Sequence, residues 1–261
     1  MLEVRSRDGT PIAFAVGGHG VPVLLVHGTT ADHTRWSPLL ATLEPFFRVY
    51  RVDRRGRGGS GDAEGYSIEH EYEDVAAVIE SIGEPVHVLG HSFGGLVALE
   101  AALRVPRTAL RSLSVYEAPI QTGTAPVQLL DQMDALVAQG DRDGAVTVFF
   151  RDLLCVPTDD LTLLQMLPTW RKRCAAAHTM ARELRAAFAY QLDAPRFATL
   201  DVPTMLLVGE GSPEPMQNAT QALAAALPGA RIEVLRGQQH NAMDTARELF
   251  LRAVVDFLEA H

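Results

Sequence analysis

Short apolar runs alternating with helix-like segments constrain this chain more than any other feature. The runs are Pro11 to Val16, Val21 to Val26, Arg48 to Val52, Val86 to Leu89, Ser112 to Tyr116, Thr204 to Val208 and Arg231 to Leu235. The first reads as an early antiparallel strand after a turn at Asp8-Gly9, with a charged, strand-like segment before it. The others are rich in Val and Leu and mostly apolar throughout, as strands must be when helices cover both faces of their sheet. Between most of them lie helical patterns. Ile68 to Ile82 carries apolar residues at helical spacing, with Ser67 as N-cap and Glu69 to Glu71 in its first turn. Pro215 to Leu227 is alanine-rich, and Met243 to Leu258 closes the chain. Alternation of this kind predicts an α/β protein with a parallel sheet sandwiched by helices.

One interval breaks the rhythm. From Ile120 to Ala198 there is no strand-like run, only helix-like blocks such as Val127 to Gln139, Asp143 to Leu154 and Arg173 to Tyr190, punctuated by Pro126, Pro157, Pro168 and Pro195. The expected organisation is a core of residues 1–119 and 199–261 with a helical insertion at 120–198. Insertions at the carboxyl end of a parallel sheet tend to cover its ligand site.

Composition narrows the function classes. A chain of 261 residues with 47% hydrophobic content buries a full core. Its net charge of −9, from 23 basic and 32 acidic residues, and its lack of a basic cluster argue against a nucleic-acid partner. No apolar stretch approaches membrane-spanning length and no signal peptide is expected at the N-terminus, so a cytoplasmic protein with no membrane partner is the expectation. Cys155 and Cys174 fit neither a disulfide framework nor a metal ligand set. A small molecule is the expected partner, with self-association left open.

Residues Gly90-His91-Ser92-Phe93-Gly94 close the apolar run Val86 to Leu89 and open a helix-like stretch from Phe93 to Arg104. Glycines two residues either side of a serine, between strand and helix, are the pattern of a nucleophile elbow. Gly90 and Gly94 supply room for a tight turn, and Gly95 lets the helix pack close to the sheet. The serine hydroxyl then stands above the sheet edge beside the positive end of a helix.

With these motifs in order, the chain resembles the α/β-hydrolase superfamily over nearly its whole length. The resemblance rests on His27-Gly28 after the third strand, Asp53-Arg54-Arg55-Gly56-Arg57-Gly58-Gly59-Ser60 after the fourth, the elbow after the fifth, the helical insertion, and His240 after the last strand. It implies an eight-stranded, mostly parallel sheet with a helical cap over its carboxyl edge. It also implies a Ser-His-acid triad, an acyl-enzyme and no cofactor. The Asp53 to Ser60 loop lacks the lysine and spacing of a phosphate cradle and reads as a structural turn.

A serine hydroxyl near neutral pH needs a base to accept its proton as it attacks. His240, in Gln238-Gln239-His240-Asn241-Ala242, is the candidate. His91 is expected to point away from the nucleophile's face, His27 to be structural, and His178 in the insertion to line the pocket or simply to pack. The resemblance assigns the two backbone donors for the oxyanion to Phe93 and Thr29. The acid departs from the common pattern. The seventh strand is followed by Val208-Gly209-Glu210-Gly211-Ser212-Pro213, with no aspartate where many relatives place one. Glu117, in Val115-Tyr116-Glu117-Ala118-Pro119 after the sixth strand, is the first choice, ahead of Glu210 and Glu214.

A serine at the elbow excludes the aspartate-nucleophile chemistries of this fold. Esterase or lactonase activity is the first expectation. Carbon–carbon bond hydrolysis and acyl transfer use the same residues, and a non-catalytic small-molecule binder on the same scaffold is the alternative from another class. Trp170, Met133, Met166, Met180, Phe149, Phe150 and Phe188 are candidates for an apolar roof, most of them expected to pack inward.

Overall fold

In the computed structural model, which describes residues 1–120 and 123–261, the strand-like runs become β1 (Leu2–Arg5), β2 (Pro11–Gly18), β3 (Val21–Val26), β4 (Phe47–Val52), β5 (Val86–His91), β6 (Leu110–Tyr116), β7 (Thr204–Gly209) and β8 (Arg231–Leu235). They form one sheet in the order β1-β2-β4-β3-β5-β6-β7-β8. The β1–β2 and β2–β4 pairs are antiparallel, and every pair from β4 to β8 is parallel. This is the eight-stranded, mostly parallel sheet that the resemblance implies.

The sheet divides its side chains by period two. Leu24, Val26, Val88 and Val115 enter one core, beneath Tyr72, Val75 and Ile79 of the helix Ile68–Ile82. Val23, Leu25, Leu89 and Leu207 enter the other, against Phe250, Val254 and Phe257 of the closing helix. Each fully buried side chain of this kind contributes about 1.5–3 kcal/mol. The elbow helix, Phe93–Ala102, is buried at every residue, so it shows no amphipathic stripe. The helix Ile68–Ile82 starts as its sequence predicts: the Ser67 side chain accepts from Glu69 N–H, and Gly83 ends it at φ +74°.

Several helices are shorter than their patterns suggest. The closing pattern Met243 to Leu258 is split into Ala242–Thr245 and Arg247–Glu259, because Ala246 is non-helical at φ −146°, ψ 59°. Arg173 to Tyr190 breaks at Ala176 into Thr169–Ala175 and Ala177–Ala189. Asp143 to Leu154 becomes an α-helix, Arg142–Val148, running into a π turn, Phe149–Leu153. None of these breaks carries a Gly or Pro at the break itself, so no local signal marks them. Between β6 and β7 the described residues form helices only, from Val127 to Phe197. No helix among the described residues is long and apolar enough to cross a membrane.

The insertion has its own apolar centre, including Met133, Val146, Phe149, Phe150, Trp170 and Met180. It is fastened to the sheet by buried charge. Arg54 Nη2 lies 2.7 Å from Glu183 and Nη1 3.4 Å from Glu71. Arg57 pairs with the same Glu183 and donates to Thr179 Oγ1 at 2.5 Å. Glu183 and Thr179 belong to Ala177–Ala189, so the loop after β4 is both a turn and the anchor of the insertion.

Candidate active site

The parallel register pairs His91 of β5 with Tyr116 of β6. Ser92 and Glu117 are therefore the first residues past two neighbouring strand ends. Both are strained: Ser92 sits at φ 56° and Glu117 at φ 48°, a region that costs a non-glycine residue about 1–3 kcal/mol and concentrates at functional sites. The elbow tolerates it because its neighbours are bare. A Cβ on Gly90 would lie 2.5 Å from the Gly94 carbonyl oxygen, and one on Gly94 would lie 2.3 Å from that of His27. Ser92 N–H donates to Tyr116 O at 2.8 Å, which locks the turn onto β6.

Glu117 and His240 meet, as the sequence predicts. His240 Nδ1 lies 2.7 Å from Glu117 Oε2, with the carboxylate fully buried and the imidazole partly open. The other carboxylate oxygen accepts from Gly209 N–H at 2.7 Å and from the Ser212 hydroxyl at 2.5 Å. Three donors thus converge on one carboxylate. Ser212, in the loop that lacks an aspartate, thus has a part: it donates to the acid. Glu210, the second candidate, is exposed and accepts from Gly237 N–H at 2.8 Å, and Glu214 opens the helix Glu214–Ala226. Neither approaches the imidazole by hydrogen bond.

The histidine loop is held by Tyr116, which the sequence did not mark, and by His91. The Tyr116 hydroxyl donates to Gln239 O and accepts from Ala242 N–H at 3.2 Å, bracketing His240. His91 packs against the histidine loop. Its ring lies 4.6 Å from that of His240, and its Nε2 lies 2.9 Å from the His240 carbonyl oxygen. A carbonyl only accepts, so Nε2 carries the proton. Burial, then the His240 charge, hold the His91 pKa well below the ordinary value, so the ring is neutral and fixed in that tautomer. His27 is structural, as expected: Nδ1 donates to Gly28 O at 2.8 Å and Nε2 accepts from Arg54 N–H at 3.3 Å. Burial and then Arg54 keep it neutral too.

Ser92 Oγ makes no hydrogen bond to His240 among the described residues, and His240 Nε2 is likewise free of partners. Such contacts are often loose without a bound ligand. The groups proposed to stabilise an oxyanion flank the serine. Phe93 is the first residue of the elbow helix, so its N–H has no carbonyl to bond within that helix. The loop after β3 touches the nucleophile directly: a Cβ on Gly28 would lie 2.9 Å from Ser92 Cβ and 3.4 Å from its Oγ. Thr29 follows it, half-buried in the turn. The Arg54 guanidinium lies 4.6 Å from the Phe93 ring centroid, so the insertion's charge network presses on the residue after the nucleophile.

The expected roof residues are mostly spent on the insertion itself. Trp170 is buried among Phe149, Phe150 and Met180, and its Nε1–H donates to Asp143 at 2.6 Å. Met166 is 77% exposed and covers nothing. His178 is exposed on the insertion's flank, 4.0 Å from Asp62. A cavity of about 340 Å³ beside the Asp53 to Ser60 loop, lined by Asp32, Arg57, Ser60 and Lys172, includes none of Ser92, Glu117 or His240. Converging chemistry, rather than that concavity, marks the site. Asp32, His33 and Asp53 also gather, but as local braces: Asp53 accepts from His33 Nδ1 and N–H and from Gly59 N–H, and Asp32 caps Thr34.

Comparison with known proteins agrees with this fold. The family model described as the alpha/beta hydrolase family matches residues 23–253. An alpha/beta hydrolase from Sphaerobacter thermophilus superposes with a TM-score of 0.86 at 35% identity, covering 98% of this chain and 100% of that one. A non-heme haloperoxidase from Rhodococcus erythropolis is 28% identical over the full length of both chains. A pimeloyl-[acyl-carrier protein] methyl ester esterase from Photobacterium profundum is 36% identical over 110 residues, 42% of each chain. The chain belongs to the α/β-hydrolase family and is an enzyme of that class.

Proposed function

We propose that the protein is a serine hydrolase that cleaves a carboxylic ester or lactone through an acyl-enzyme on Ser92. The observation that carries this reading is the 2.7 Å contact between His240 Nδ1 and the buried Glu117 carboxylate, which leaves Nε2 as the nitrogen available to act as a base. Ser92 Oγ attacks the carbonyl carbon while its proton passes to Nε2. The oxyanion is met by the N–H groups of Phe93 and Thr29. The tetrahedral adduct then expels the alkoxide, which takes the proton from Nε2, and the acyl group stays on Oγ. Water, deprotonated by the same nitrogen, releases the acid. Glu117 accepts from the Nδ1–H and stabilises the imidazolium. Ser92 and His240 are thus the reacting residues, and Glu117 is a positioning residue.

Local similarity to a methyl ester esterase supports ester hydrolysis. Full-length similarity to a non-heme haloperoxidase favours a second outcome of the same acyl-enzyme, in which hydrogen peroxide replaces water as the attacking species. A series of p-nitrophenyl esters of graded chain length, with a few lactones, tests the reading. Turnover of at least one that falls by roughly 10³-fold in Ser92→Ala supports it. Near wild-type turnover in Ser92→Ala overturns it.

A further inference from the structure

One charged group beside the loop after β3 has no part in the reaction as proposed. Arg173 is carried by the helix Thr169–Ala175, and its Nη1 donates to Thr30 Oγ1 at 2.6 Å. Its guanidinium, half-buried, lies 5.0 Å from the Phe150 ring centroid. It makes no ion pair among the described residues, because the acids nearby are engaged. Asp244 accepts both Nη groups of Arg35 at 2.8 Å. Asp32 caps Thr34 and lies 3.4 Å from Lys172 Nζ. Burial, and then the neighbouring Arg35, bring the Arg173 pKa down to about 10, so the group is charged at neutral pH. In a chain of net charge −9, solubility gives no reason to hold there a cation whose nearest acids, Asp244 and Asp32, act on it only at a distance. Partial burial without a counter-ion carries a cost, which a ligand's charge would offset.

Position makes the cation informative. Thr30, at φ 63°, directly follows Thr29, whose N–H is the proposed second oxyanion donor. Bond lengths alone place the Arg173 guanidinium at most about 10 Å from that donor. Ligand atoms that lie between the two, each a hydrogen bond from its donor, are then at most about 4–5 Å apart. With Nη1 committed to Thr30, the Nη2 and Nε edge offers two parallel N–H groups, the geometry that suits a carboxylate.

We propose that Arg173 binds a carboxylate carried by the substrate a few bonds from the scissile carbonyl, so that the preferred substrates are half-esters or lactones of short dicarboxylic acids. The inference rests on the ester-hydrolase reading for its substrate, but not for its binding site.

The test compares kcat/KM for monoethyl glutarate with that for ethyl pentanoate, and measures glutarate binding by calorimetry. Wild type should prefer the anionic ester by about 10- to 100-fold, the worth of a charge-assisted contact. Arg173→Gln should collapse that ratio towards one, mainly through KM, and weaken glutarate binding, with Arg173→Lys restoring part of both. If Arg173→Gln lowers both esters equally, the residue is only a fastener of the insertion and the inference fails. It fails also if wild type shows no preference and binds no glutarate. If neither ester is turned over but glutarate binds and Arg173→Gln weakens it, the site stands and the ester reading falls.

Discussion

At the residue scale, the account turns on Glu117. The sequence made it the first choice because the loop after β7 lacks an aspartate. The structure adds why a longer acid works from β6: three donors grip it, from His240, Gly209 and Ser212. Glu117→Gln should reduce kcat by about 10²- to 10⁴-fold with little change in substrate affinity, because the amide cannot stabilise the imidazolium. Ser212→Ala, which removes one hydrogen bond to a charged group, should cost about tenfold. Glu210→Gln should be mild. Steady-state kinetics on one ester would rank the three, and a crippled Glu210→Gln beside an active Glu117→Gln would move the acid to β7. Ser212 was illegible as a partner because its contact joins two loops from different strands. Nothing in Gly209-Glu210-Gly211-Ser212 shows which way the hydroxyl turns.

At the scale of elements, the strands and the elbow were legible because each obeys a local rule. Buried parallel strands are continuous apolar runs, and the elbow has its paired glycines. The joint between insertion and sheet was not. The loop holding Arg54 and Arg57 reads in sequence only as a structural turn, and nothing there marks Glu183, yet each of the three has an almost fully buried side chain, and Glu183 serves both arginines. Burial of charges so far apart in sequence follows only from the packing of Ala177–Ala189 on the loop after β4. Glu183→Ala leaves two buried guanidinium groups short of a counter-charge and should destabilise the fold by about 3–5 kcal/mol. Urea unfolding would show this as a lowered midpoint. A loss under about 1 kcal/mol would mean that the joint rearranges to pair with Glu71 alone.

At the scale of the whole molecule, three buried histidines tie stability to pH. Burial, then Arg111, bring the His87 pKa down to about 4, and burial chiefly holds His27 and His91 well below their ordinary value. Above pH 6.5 these rings are neutral both folded and unfolded. Below it the unfolded chain takes up protons that the folded protein refuses, so stability falls as pH falls. One pH unit below 6.5 corresponds to about 1.4 kcal/mol per histidine, or ~4 kcal/mol for the three. Urea midpoints should therefore drop between pH 7.5 and 5.5, and His87→Gln should shallow the drop. A flat profile would contradict the neutral, buried state of these rings. In the sequence only His27 declared a structural role, through its place after the third strand. His87 and His91 show their partners, Ser112 and the His240 carbonyl, only once the sheet is assembled.

The central claim is that this assembly turns Ser92 into a nucleophile. Intact-mass analysis after treatment with a fluorophosphonate probe tests it most directly, because the probe reports serine activation whatever the natural substrate. The account predicts one adduct per chain, mapped to Ser92, absent in Ser92→Ala and formed far more slowly in His240→Ala. Folded wild-type protein that takes no label, or that takes it on another residue, would contradict it.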